Sequence, residues 1–132
     1  MSELKPADAI LLCVDDDPVI LILLCTLLKR AGYTQVLSAH SAREAEETLK
    51  TVMPHLILLD IMMPEKDGYT FCSELRQRPD FAGVPVIFYS ALRQDQDRQR
   101  ATDSGATAFL SKPVEPQQLY QTIAELLQAR YS

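Results

Sequence analysis

No long run of Lys or Arg occurs in this 132-residue chain, and its formal net charge is −5. That argues against nucleic acid as a direct partner, because gripping duplex phosphates takes a clustered basic face. A membrane surface is disfavoured on the same ground. No apolar stretch is long enough to cross a bilayer: the most apolar one, residues 19–28, is half of the roughly twenty residues required. Residues 1–8 carry Glu3, Lys5 and Asp8, without an apolar centre or a small-residue cleavage site, and do not read as a secretory leader. Cysteine is scarce. Cys13, Cys25 and Cys72 are odd in number, widely spaced and set in apolar patterns, so they are expected to be reduced, buried thiols of a cytoplasmic protein. There is no low-complexity stretch, no internal repeat and no linker. With 47% hydrophobic and 23% charged residues, the composition is that of a globular protein. A chain this long buries roughly two-thirds of its unfolded surface and needs no metal or disulfide staple to fold.

What is present is an alternation of two segment types. Short apolar runs occur at residues 10–14, 35–39, 56–59, 86–89 and 108–110, too short for helices and the right length for strands. Three of them (10–14, 56–59 and 86–89) are apolar without alternation, the pattern of parallel strands covered on both faces. Helical patterns lie between. Ser41 and Glu44 form a capping-box signature ahead of Ala42, Ala45, Leu49 and Val52. A helix after Gly68 turns Phe71, Cys72 and Leu75 inward and stops at Pro79. The last helix starts at Pro116 and buries Leu119, Ile123, Leu126 and Leu127. Gly32 and Gly105 stand where helix ends need positive φ. Five strands alternating with five helices predict an α/β doubly wound parallel sheet with right-handed crossovers. The whole chain, residues 1–132 with a core at about 8–130, is expected to be one domain with no output domain attached.

Sheets of this kind bind ligands beyond the carboxyl ends of their strands, where strand order reverses. In a flavodoxin-like 2-1-3-4-5 order, that point lies between the first and third strands. The first strand runs into Asp15, Asp16 and Asp17, and the third into Asp60. The fourth leads to Ser90 and Ala91, and the fifth to Ser111, Lys112 and Pro113. Asp17 before Pro18 is explained as a helix cap. Asp15, Asp16 and Asp60 are not. Crowded carboxylates repel and raise one another's pKa, whereas a divalent cation that favours hard oxygens resolves the conflict. A magnesium ion, a carboxylate nucleophile, a lysine and a hydroxyl make equipment for phosphoryl transfer. No Gly-rich phosphate loop is present, which argues against a bound nucleotide as the donor. Asp60, at a rigid strand end, is the best nucleophile.

Four pieces in order carry a resemblance to the receiver domain of bacterial two-component response regulators. They are Val14-Asp15-Asp16-Asp17-Pro18, Leu59-Asp60-Ile61-Met62-Met63-Pro64 with Asp67-Gly68, Tyr89-Ser90-Ala91, and Gly105-Ala106 with Ser111-Lys112-Pro113. The resemblance covers residues 10–127. It implies Asp60 as phosphoacceptor, and a Mg²⁺ ion held by Asp16, Asp60 and the Met62 carbonyl, with Asp15 acting through water. It implies Lys112, Ser90 and the Ala91 amide on the phosphoryl oxygens, a cis peptide bond before Pro113, and a histidine kinase or histidine phosphotransfer protein as donor. A downstream protein target would read a surface switched by Ser90 and Phe109. Ser90 stands where Thr is commoner, and Phe109 where Tyr is frequent.

Residues 93–103 are polar almost all round, with Ala101 the main inward apolar residue, so little packing is expected to hold this helix. The first helix is the opposite: residues 19–24 leave no polar face. Leu21 and Ile22 are therefore expected to be exposed, forming a patch for the kinase, the phosphotransfer protein or a second copy of the chain. Met62, apolar and two residues past Asp60, is expected to order a hydrolytic water poorly. A flavodoxin-like electron carrier would want a hydroxyl- and glycine-rich loop in place of Asp15 and Asp16. A haloacid-dehalogenase-type phosphatase would want a second acid at Met62. A degenerate receiver serving only as a binding module would not need Asp16, Asp60, Ser90 and Lys112 together. No chemistry is assigned to His40 or His55.

Overall fold

Residues 4–92 and 94–131 are described by the computed structural model. The chain runs β1 (Ile10–Val14), α1 (Pro18–Arg30), β2 (Gln35–Ala39), α2 (Ala42–Leu49), β3 (Leu56–Asp60), α3 (Gly68–Gln77), β4 (Val86–Ser90), α4 (Asp95–Asp103), β5 (Ala108–Ser111) and α5 (Pro116–Tyr131). All strand pairs are parallel and the sheet order is β2-β1-β3-β4-β5. Every strand thus points its carboxyl end to the same edge. The expected architecture is the one found.

The two faces of the sheet bury separate apolar layers. Leu12, Val14, Ile57, Leu59, Val86 and Phe88 pack against α2, α3 and α4 through Ala45, Leu49, Phe71, Cys72, Leu75 and Ala101. Leu11, Cys13, Leu56, Leu58, Ile87 and Tyr89 pack against α1 and α5 through Leu24, Leu28, Leu119 and Ile123. β3, β4 and all of β1 beyond Ile10 are covered on both sides, which is why their sequences do not alternate.

Helix starts follow their side-chain caps. Asp17 accepts from the Val19 amide at 2.9 Å with Pro18 in the first turn, Ser41 from Glu44 at 3.1 Å, and Asp67 from Thr70 at 2.8 Å. Gly32 and Gly105 take φ of 100° and 102°, the left-handed conformation that a Cβ resists. The Lys112–Pro113 bond is cis.

Several boundaries differ from those read in the sequence. β3, β4 and β5 each take in one more residue at the carboxyl end: Asp60, Ser90 and Ser111. Their side chains are polar, but their backbones still pair in the ladder. Val52 lies beyond α2, and α4 begins at Asp95; Arg93, expected to open that helix, lies outside the described residues. Cys25 is only partly buried, although Cys13 and Cys72 are enclosed as expected, and all three are free thiols.

The larger correction concerns α1. Leu21 is only 3% exposed and belongs to the core, so it is not part of a surface patch. Leu21, Leu24 and Leu28, spaced three and four apart, face the sheet. The exposed aliphatics are Val19 at 69%, Ile22 at 68% and Leu23 at 48%.

Candidate functional site

The site forms where β1 and β3, neighbours in the sheet but not in sequence, end side by side. Asp15 directly follows β1, and its backbone N–H still donates to Ala39 across the sheet at 3.1 Å. Asp15 is fully buried, Asp60 is 4% exposed and Asp16 is open to solvent. One carboxylate oxygen from each of the three lies within 4.8 Å of the others. The donor set is all hard oxygen, two buried and one wet, as suits a cation that keeps part of its water shell.

The Lys112 ammonium enters from the end of β5. Its Nζ lies 2.9 Å from Asp15 Oδ2 and 3.4 Å from Asp60 Oδ1. The other Asp15 oxygen accepts from the Asp17 N–H at 2.9 Å. Asp60 Oδ1 also accepts from the Ile61 N–H at 2.9 Å. Burial and the neighbouring Asp15 charge nevertheless push the Asp60 carboxyl up to about 6, with Lys112 and the Ile61 amide pulling the other way. Burial works against the Lys112 charge. The hydrogen bond to Asp15 and the charges of Asp60 and Asp15 outweigh it, and the ammonium is held above its usual pKa.

Ser90 is 1% exposed and its Oγ accepts from the Leu92 N–H at 3.2 Å. Its carbonyl accepts from the Lys112 N–H at 2.8 Å, tying the end of β4 to the lysine's own backbone. Ala91 is exposed just beyond. Phe109, on β5 beside Phe88, is half-buried. The Arg98 guanidinium of α4 lies 4.7 Å from its ring centre and donates to Ser111 Oγ at 3.2 Å.

The loop from β3 to α3 closes the site. The Gly68 N–H donates to the Ile61 carbonyl at 2.8 Å, so the loop folds straight back on the strand end. A Cβ on Gly68 would run into the backbone of Asp60 and Ile61. Glu65 takes φ of 71° to complete the turn. Met62 is 62% exposed and borders a shallow cleft with Asp16, Met63, Tyr69, Leu92 and Arg100.

Asp15, Asp16, Asp60 and Lys112 are therefore brought together. Ser90, Ala91 and Phe109 lie along the adjoining strand ends, and Leu21 and Ile22 belong to α1. Sequence reasoning missed Tyr89, the register partner of Asp60 on β4, whose ring lies 5.0 Å from Lys112 Nζ. Its signal was slight: a phenol in an otherwise apolar strand, next to Ser90. Among the described residues no helix is long and apolar enough to cross a membrane.

An open parallel sheet that collects three acids and a lysine at the switch in strand order defines a doubly wound α/β domain with an acid pocket. The model of the response regulator receiver domain matches residues 11–124, and the chain belongs to that family. Response regulator Rre1 of Synechocystis sp. is 38% identical over 117 residues, covering 89% of this chain and 51% of that protein. The chain thus spans about half the length of this and similar curated relatives. An uncharacterized 14.6 kDa protein in the sodA1 3′ region of Leptolyngbya boryana is 36% identical, with 87% of each chain covered. Among solved structures, a putative response regulator from Chloroflexus aurantiacus superposes with a TM-score of 0.87 at 34% identity, covering 92% of this chain and 98% of the other.

Proposed function

We propose that the chain is a phosphorylation-controlled switch in which Asp60 accepts a phosphoryl group from a histidine kinase or histidine phosphotransfer protein. A carboxylate oxygen of Asp60 attacks phosphorus as the P–N bond of the donor phosphohistidine breaks, and the departing imidazole nitrogen takes up a proton. Asp16, Asp60 and the Met62 carbonyl would hold a Mg²⁺ ion, with Asp15 assisting. When bound, that ion neutralises negative charge on the transferring oxygens. Lys112 pairs with the phosphoryl group, and the Ser90 hydroxyl and Ala91 amide hold its remaining oxygens. The observation that carries this reading is the meeting of Asp15, Asp16 and Asp60 around Lys112 at one edge of the sheet.

Phosphorylation draws Ser90 toward the new oxygens, and Phe109 turns into the space released. That turn breaks the contact with Arg98 and loosens α4. In α4 only Ala101 is buried, so the helix is lightly held. A cytoplasmic downstream protein, or a second copy of the chain, reads the altered face. The receiver catalyses its own phosphorylation and dephosphorylation and no other reaction.

Incubation with acetyl phosphate and Mg²⁺ followed by intact mass tests the first step. One added phosphate that disappears in Asp60→Asn is expected. No added mass, or mass retained in that variant, would overturn the assignment.

A further inference from the structure

Tyr89 is fully buried, and among the described residues its hydroxyl is the one buried side-chain polar atom without a hydrogen-bond partner. An unpaired buried donor lowers stability, so its presence at a site calls for an explanation. Two observations set it beside the phosphorylation machinery. Tyr89 is paired in register with Asp60, so both side chains leave the sheet on the same face. Its ring lies 5.0 Å from Lys112 Nζ, giving that ammonium an aromatic floor.

Asp15 supplies the other half of the argument. It is fully buried, with one oxygen accepting from Asp17 and the other from Lys112. If Lys112 leaves Asp15 to meet a phosphoryl group on Asp60, Asp15 Oδ2 loses its charged donor while remaining fully buried. A buried carboxylate oxygen left that way costs more than the lysine's new contact easily repays.

We propose that Tyr89 is a positioning residue for phosphoryl transfer, its hydroxyl taking over Asp15 as Lys112 moves to the phosphoryl group on Asp60. The tyrosine acts through Asp15 and Lys112 and does not touch the reacting atoms. The exchange keeps Asp15 satisfied in both states, and the aromatic floor guides the short travel of the ammonium. This inference rests on Asp60 being the phosphoacceptor.

Tyr89→Phe keeps the ring and removes only the hydroxyl. With acetyl phosphate and Mg²⁺, intact mass should show the variant gaining phosphate about tenfold more slowly than wild type, the loss expected for one hydrogen bond to a charged acceptor. Its Tm without phosphodonor should equal or exceed that of wild type, since the lost hydroxyl was unpaired there. A merely structural tyrosine would not lower the rate while sparing the fold. The tyrosine doublet in ultraviolet resonance Raman, taken as wild type minus Tyr89→Phe, should move toward strong donation when beryllofluoride and Mg²⁺ are added. Equal rates in the two proteins, or an unmoved doublet, would overturn the inference and leave the phosphoacceptor reading standing. Wild-type protein that gains no phosphate overturns both.

Discussion

Lys112 lies closer to Asp15 than to Asp60, 2.9 Å against 3.4 Å, so in this state its ammonium serves the buried acid first and the proposed phosphoacceptor second. The lysine is thus a counter-ion shared by two carboxylates, of which Asp60 is the one proposed to react. Removing it leaves two buried acids facing each other.

Lys112→Met is expected to lower metal-free stability at pH 7.5 by about 3 kcal/mol, as when one partner of a buried ion pair is removed. Mg²⁺ should restore part of the loss, because the cation replaces the missing positive charge. Urea melts with and without Mg²⁺ check this. Equal stabilisation of both proteins by the metal would contradict it.

Asp60 carries a pH dependence of unusual sign. Its folded pKa of about 6 lies above the usual 3.8, so the folded chain holds this proton more tightly than the unfolded one. Asp60 therefore costs nothing below about pH 4, and its penalty grows as pH rises from about 4 to about 6. Asp60→Asn should stabilise the metal-free protein by about 2 kcal/mol at pH 7.5, with the gain vanishing at pH 4. If Asp60 acts as the proposed carboxylate nucleophile, phosphorylation at limiting Mg²⁺ should rise with pH and level off above about 6. At saturating Mg²⁺ the midpoint should move lower. A pH-independent rate between 5 and 7 at limiting metal would refute the assignment.

Met62, 62% exposed beside the acids, offers no polar group to a water attacking the phosphorylated Asp60. Met62→Asn should speed loss of phosphate roughly tenfold, a modest share of what positioned proton-transfer groups contribute. Loss of the added mass over time measures it, and an unchanged decay would remove Met62 from any role in lifetime.

On α1, exposure separates two adjacent residues. Ile22→Glu places a charge on an open aliphatic patch and should leave stability within about 0.5 kcal/mol. It should slow transfer from a cognate phosphohistidine protein while leaving phosphorylation by acetyl phosphate unchanged. Leu21→Glu puts the same charge into the core and should unfold the protein. Unchanged transfer to the Ile22 variant would dismiss the patch as a contact for the donor.

The contrast between those residues marks where the sequence was readable. Five apolar runs became five strands, most plainly β1, β3 and β4, whose short unbroken apolar runs are the mark of strands covered on both faces. Asp15, Asp16, Asp60 and Lys112 could be gathered before any coordinates, because strand order alone sends them to one edge. The face of α1 could not be read: with aliphatics at Val19, Ile20, Leu21, Ile22, Leu23 and Leu24, hydrophobic contrast vanishes and with it the phase of the helix. Tyr89 escaped because an aromatic in an apolar strand looks like core. Only its register with Asp60 and the orphaned hydroxyl set it apart. Arg98 against Phe109 was equally hidden, since a cation on a polar helix carries no mark of the ring it will cover.

Gly68 brings no functional group to the pocket, yet it governs how near the returning loop comes to the backbone of Asp60. Even one methyl there would wedge the loop away from the strand end and carry the Met62 carbonyl with it. Damage of that kind would leave every acid and the lysine in place while spoiling their spacing, so an inventory of reactive groups would pronounce the crippled protein whole.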